Sequence, residues 1–148
     1  MQVVVIATRW GAFEGGINAF NQPFTEALAA VGHGHIGVVC AVTTADRSTQ
    51  VNARRAGVTL LEIGPSAEER SDAAGRLIVD LLRAQGLSTE VTLWVGHDIK
   101  TGFAATAAAA RFGGQAALIH HMRFAAYRNL GGGKGSDTAA KADQADAL

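Results

Sequence analysis

The chain has a single cysteine, no net charge and no apolar run long enough to cross a bilayer. Cys40 has no second thiol to pair with, so an intrachain disulfide is excluded. Its place inside an apolar, strand-like run at 36–42 reads as a buried, inert thiol. Thirteen basic residues against thirteen acidic ones argue against nonspecific adhesion to nucleic acid or a membrane surface. A membrane helix needs about 20 consecutive apolar residues, and no run approaches that, so no integral membrane segment is expected. No basic segment followed by a signal-type apolar stretch and a small-residue cleavage site opens the sequence, which makes the cytoplasm the expected compartment. The G-x-G-x-x-G fingerprint of dinucleotide sites is also missing.

What is present is a single domain's worth of chain: 148 residues, 48% apolar and 18% charged, a globular composition. Five apolar runs with β-branched content (3–7, 36–42, 58–63, 91–95 and 116–119) are separated by helical or turn segments. The runs are continuous rather than alternating, as strands covered on both faces require. Strands alternating with helices imply right-handed crossovers and a parallel sheet. The expected fold is therefore α/β, a Rossmann-like doubly wound parallel sheet in three α/β/α layers.

The first strand feeds a glycine-bearing turn, Gly11-x-x-x-Gly15-Gly16, and a helical pattern at 18–31 leaves it. Strand, glycine turn and helix aim backbone N–H groups and the positive end of a helix dipole at an anion. Pro23 creates a tension. A helix beginning at Gly16 would carry it in the second turn, whereas Asn21 as N-cap would put it in the first. Phe20, Phe24, Ala27, Leu28 and Val31 share one face, expected to pack on the sheet. Asp46 reads as a solvated turn or a cap for a short helix at 48–56, too far past its strand to hold a ribose. Ser66 and Glu69 have capping-box spacing for a helix running to about Gln85, burying Leu77, Ile78, Leu81 and Leu82 and stopped by Gly86. An alanine-rich helix is expected at 102–111. Past Leu130 comes a glycine-rich loop, then a short polar segment at 137–148 with hardly any apolar face. The expected division is a domain at 1–130 and a loop and tail at 131–148.

Three features fall at the carboxyl edge of the expected sheet, where open α/β sheets bind ligands. They are the glycine turn, Gly96-His97-Asp98, and His120-His121. Arg9, Lys100, Arg123, Arg128 and Lys134 bring positive charge near them. Backbone donors, imidazoles and cations suit a sugar carrying a diphosphate. No carboxylate or cysteine shares a zinc-ligand spacing with the histidines, so no metal is expected. There is no obvious nucleophile–base pair, and Asp98 reads as the cap of the following helix.

Together Thr8-Arg9-Trp10, Gly15-Gly16-Ile17 with Phe20, Gly96-His97-Asp98, and His120-His121 with Tyr127 resemble the N-terminal half of a GT-B fold glycosyltransferase of the family 4 type, over residues 1–130. The resemblance implies two Rossmann-like domains facing across a cleft, the N-terminal one binding mainly the acceptor and the C-terminal one the nucleotide-sugar donor. It implies that Gly15 and Gly16, with Asn18 beside them, approach the donor diphosphate. His97 would contact the transferred sugar as the catalytic residue, and His120 or His121, with Arg123 and Tyr127, would line the acceptor side. Transfer would proceed with retention and without a metal or bound cofactor, the nucleotide-diphosphate sugar serving as donor substrate. The basic residues and paired glutamates that hold the donor belong to the second domain, so the chain is expected to be inactive until that domain joins it in cis or in trans. A homodimer through the exposed cleft face is a further expectation. Two rivals remain: a non-catalytic Rossmann-like module binding a sugar, nucleotide or protein, and an NAD-type dehydrogenase domain, which the missing fingerprint and ill-placed Asp46 count against. As a strand-end side chain directed into a cleft, His97 is expected to tolerate replacement by alanine without loss of fold.

Overall fold

The structure, a computed structural model, describes residues 1–11, 16–68 and 72–121. Gly15, Arg123, Tyr127, the 131–136 loop and the 137–148 segment lie outside the described residues. Five strands, β1 (Gln2–Ile6), β2 (Gly37–Val42), β3 (Val58–Glu62), β4 (Leu93–His97) and β5 (Gln115–Ile119), form one sheet in the order β3-β2-β1-β4-β5. Every neighbouring pair is parallel. Four helices connect them: α1 (Gly16–Gly32), α2 (Arg47–Arg55), α3 (Ala73–Ala84) and α4 (Asp98–Phe112).

Successive strand residues point to opposite faces, and the core divides accordingly. Val4, Ile6, Val39, Leu61 and Trp94 face Ile78 and Leu82 of α3 and Ala104, Ala105 and Ala108 of α4. Val3, Val5, Val38, Cys40, Leu60 and Val95 face the other way, toward Phe24, Leu28 and Ala29 of α1 and Ala53 of α2. The chain thus winds one way from β1 through β3 and the other way from β4 to β5. Its topological switch point lies between β1 and β4, where ligands of such sheets bind. This is the expected doubly wound α/β architecture.

Several local expectations are corrected. α1 begins at Gly16 and carries Pro23 inside it, so Asn21 is an interior helical residue rather than a cap. The face of α1 turned to the sheet is also more polar than its apolar spacing suggests. Asn18, Asn21 and Thr25 are buried, whereas Phe20 is 40% and Val31 73% exposed. The polar residues win that face because each has a hydrogen-bond partner there. Thr25 Oγ1 donates to the carbonyls of Asn21 and Gln22 within the helix. The Ser66–Glu69 capping box does not start a long helix: Gly64–Glu68 is a separate 3-10 turn, and α3 begins at Ala73. Glu69 lies outside the described residues. Leu77 is exposed, while Ile78 and Leu82 are buried. Gly86 ends α3 as expected: its φ is +68°, and Leu87 N–H and Gly86 N–H return to the carbonyls of Leu82 and Arg83. Asp46 caps α2, accepting from Thr49 N–H at 2.7 Å. That bond, with further help from Ser48, holds the Asp46 carboxyl below its ordinary range.

Candidate active site

β4 ends two residues later than its apolar run suggests, which makes His97 the last strand residue, opposite Ile119 of β5. The reason is the glycine before it. A Cβ on Gly96 would stand 2.7 Å from both Gly102 Cα and Thr101 O, so only glycine lets α4 start directly against the strand end. Thr101 then bridges the two central strands. Its Oγ1 accepts from His97 N–H at 2.8 Å and donates to the Ile6 carbonyl at 2.6 Å. The backbone of His97 is fixed at the switch point by this hydroxyl.

The side chain is fixed as well. His97 Nε2 lies 3.3 Å from Asn21 Oδ1, and Nδ1 lies 2.9 Å from His121 Nε2. The two imidazoles stack, with centroids 5.2 Å apart, and Phe20 packs edge-on against both. His97 is 0% exposed, contrary to the expectation that it projects into an open cleft with little packing. Burial, and then the neighbouring His121, bring its pKa down to about 4, so the ring is neutral at neutral pH.

Asp98 follows with φ +43°, in the left-handed region that costs a non-glycine residue about 1–2 kcal/mol. Contrary to the expectation from sequence, its carboxylate does not cap α4. It accepts from the backbone N–H of His121 at 3.1 and 3.3 Å and lies 3.3 Å from His120 Nδ1. The carboxylate thereby draws the segment leaving β5 back over the end of β4 and sets His121 on His97. Of the two histidines, His121 joins the cluster, and His120 lies exposed beside Asp98.

Asn18 is buried at the same edge and accepts from Thr8 Oγ1 at 2.8 Å. Gly16 forms the first residue of α1. Beyond β1 and β2, Arg9, Trp10, Gly11, Thr44, Ala45, Asp46 and Thr49 line a cleft of about 190 Å³. Asn21 connects that loop to the cluster, donating from Nδ2 to the Arg9 carbonyl at 3.3 Å and lying 3.4 Å from Cys40 Sγ. Burial pushes the Cys40 thiol up to about 12, which removes it as a nucleophile. Among the described residues no group of three or more His, Cys, Asp or Glu side chains could hold a metal ion.

The sequence pattern missed Asn21, Thr101 and the clamp made by Asp98. One signal was available: Asn18, Asn21 and Thr25 recur at spacings of three and four, a polar stripe with the period of a helix.

A family model described as family 4 glycosyltransferase in conflict systems matches residues 4–148. The chain belongs to this glycosyltransferase family. No curated protein matches it. The match supports a glycosyltransferase-type function for the chain. Among the described residues no helix of this glycosyltransferase domain is long and apolar enough to cross a membrane.

Proposed function

We propose that the chain is the N-terminal, acceptor-binding half of a retaining, nucleotide-sugar-dependent transferase. The observation that carries this reading is the His97–His121 pair at the β1/β4 switch point, in a chain that belongs to a glycosyltransferase family. Within the imidazole pair the half-buried His121 meets the sugar, with His120, Arg123 and Tyr127 on the acceptor side. Gly16, the first residue of α1, and Gly15 before it in the sequence approach the donor diphosphate through their backbone N–H groups, where the dipole of α1 favours negative charge. Asn18 supports that turn through Thr8.

In the transfer, the bond from the anomeric carbon to the diphosphate breaks and the diphosphate leaves with the electron pair. The acceptor hydroxyl adds on the same face, and its proton passes to the departing diphosphate oxygen. Stabilising the leaving charge by dipoles and cations is the main catalytic demand. A second Rossmann-like domain, in cis or in trans, supplies the groups that hold the donor, and the chain alone has little or no transferase activity. The family description places its members in conflict systems, and the transfer would serve such a system.

The test is a transfer assay with radiolabelled nucleotide-sugars and a panel of saccharide acceptors, run beside a saccharide-binding titration. The expected result is binding of saccharide by the purified chain without transfer. Steady transfer with no partner added overturns the half-site reading, and tight binding of a dinucleotide instead of a saccharide overturns the acceptor assignment.

A further inference from the structure

The hydrogen bonds around His97 have one consistent direction, and it divides the two imidazoles by role. A backbone carbonyl can only accept, so the Asn21 atom 3.3 Å from the Arg9 carbonyl is the donor Nδ2. Oδ1 is then the atom that faces His97 Nε2, and an amide oxygen also can only accept. Nε2 of His97 therefore carries the hydrogen. The ring is neutral at neutral pH, so its Nδ1 presents a bare lone pair. The His121 Nε2 that lies 2.9 Å from that lone pair must be a donor. The run is directed from His121 through His97 and Asn21 to the Arg9 carbonyl. The nitrogen outside it is Nδ1 of His121, which no hydrogen bond from a described residue reaches.

We propose that Asn21 is a positioning residue that locks His97 as the Nε2–H tautomer, and that His97 in turn leaves Nδ1 of His121 as the nitrogen accepting from a sugar hydroxyl. The sugar contact rests on the transferase reading above; the tautomer lock rests on the geometry alone. His97 is fully enclosed and cannot touch a substrate where it lies, whereas His121 is half-buried. The opposite tautomer of His97 would set a bare Nε2 against the lone pairs of Asn21 Oδ1 in a dry environment, where an unpaired polar contact is most costly. Both Asp98 oxygens hold the His121 backbone, so the ring that meets the ligand is anchored from below and from behind. Phe20, 40% exposed and edge-on to His121 at 5.0 Å, supplies an apolar wall beside it.

The test reads imidazole nitrogens directly, by long-range proton–nitrogen NMR on the labelled chain at neutral pH. His97 should show hydrogen on Nε2 and a bare Nδ1, and His121 should show hydrogen on Nε2; hydrogen on Nδ1 of His97 overturns the lock. Asn21→Leu, which has no acceptor, should bring His97 into a mixture of tautomers. Asn21→Asp, which keeps an oxygen at that place, should retain hydrogen on Nε2. An unchanged His97 spectrum in Asn21→Leu overturns the proposal, and if that variant does not fold, the wild-type and Asn21→Asp spectra decide. Methyl glucopyranoside and methyl mannopyranoside are then titrated into the wild-type sample. The Nδ1 resonance of His121 should move while Nε2 of His97 stays in place; movement confined to His97 overturns the division of roles. No change at either ring removes the sugar contact together with the acceptor-side reading, whereas the lock stands or falls on the first spectrum.

Discussion

Replacing His97 with alanine should cost the fold substantially. Removing an enclosed aromatic side chain costs about 3–5 kcal/mol for phenylalanine, and the smaller, polar imidazole falls below that range, at roughly 2 kcal/mol. A second consequence, of similar size, is electrostatic. Asn21 is 0% exposed, and its Oδ1 would lose the Nε2–H donor, leaving a buried acceptor unpaired at a cost of about 1–3 kcal/mol. The sum is near 4 kcal/mol, a large share of the ~5–15 kcal/mol that a domain has in total. For a chain of this size about 1 kcal/mol moves Tm by roughly 2–4 °C, so His97→Ala should melt about 10 °C below the wild type. Differential scanning calorimetry and urea unfolding at pH 7 give the two readings. His121→Ala is the comparator. It removes the same pair from the half-buried side and strands no amide, so its loss should be about 1 kcal/mol. A His97→Ala variant melting within about 2 °C of wild type would show that the ring carries little packing and would refute this account.

His97 also makes stability depend on pH. Its pKa falls from 6.5 unfolded to about 4 folded, so the unfolded chain takes up the proton first. Stability is complete above pH 6.5 and declines as pH falls toward 4, by roughly 3 kcal/mol in all; urea midpoints between pH 7 and 4 should show this slope, and His97→Leu should flatten it. Gly96→Ala should lower stability by about 3 kcal/mol, because the new methyl meets the Thr101 and Gly102 backbone instead of a side chain that could turn away. A thermal melt within about 2 °C of wild type would mean that α4 yields easily. Cys40 should react with a thiol reagent only as fast as the chain unfolds, since it is fully buried with its thiol pushed up to about 12; rapid labelling under native conditions would contradict the closed core.

The sheet was legible because a strand buried on both faces must be apolar along its length, and Val3-Val4-Val5-Ile6 or Val38-Val39-Cys40 can hardly be anything else. The strand order was not legible in that way: alternation dictates parallel strands, but only the structure puts β1 against β4 and thereby places the switch point. The start of β4 was misjudged because Val91 is apolar and buried without belonging to the ladder, and its end because Gly96 and His97 continue the strand without being apolar, so hydrophobicity alone could not locate the edge. On α1 the apolar spacing of Phe20, Ala27 and Val31 suggested the wrong contact surface. Asn18 and Asn21 are held inside by Thr8 and by Arg9 and His97, partners separated from them by 10, 12 and 76 positions, and a local pattern carries no information about partners at such separations. The same holds for Asp98. A carboxylate at the start of a helix reads as a cap, whereas this one serves a backbone N–H 23 residues further on.

The distribution of buried polarity is the strongest argument that this edge has a use. Gln2, Asn18, Asn21, Thr25, His97, Asp98 and Thr101 are the buried polar residues among those described. All but Gln2 and Thr25 gather at the carboxyl ends of β1 and β4. Each group there must be matched to a partner, and a matched polar cluster is often no more stable than an apolar filling of the same volume. Among the described residues no buried side-chain nitrogen or oxygen is left without a hydrogen bond, so the matching is complete. The left-handed backbone of Asp98 adds a further cost at the same place, and strain of this kind persists where the surroundings enforce it. Elsewhere the core is apolar, built mainly from valine, alanine, leucine and isoleucine packed on both faces of the sheet. A fold selected for stability alone would carry the same filling through to the switch point. That the chain instead builds a directed polar cluster there, on a frame that only Gly96 permits, is the observation on which the proposed sugar-binding role of this edge rests.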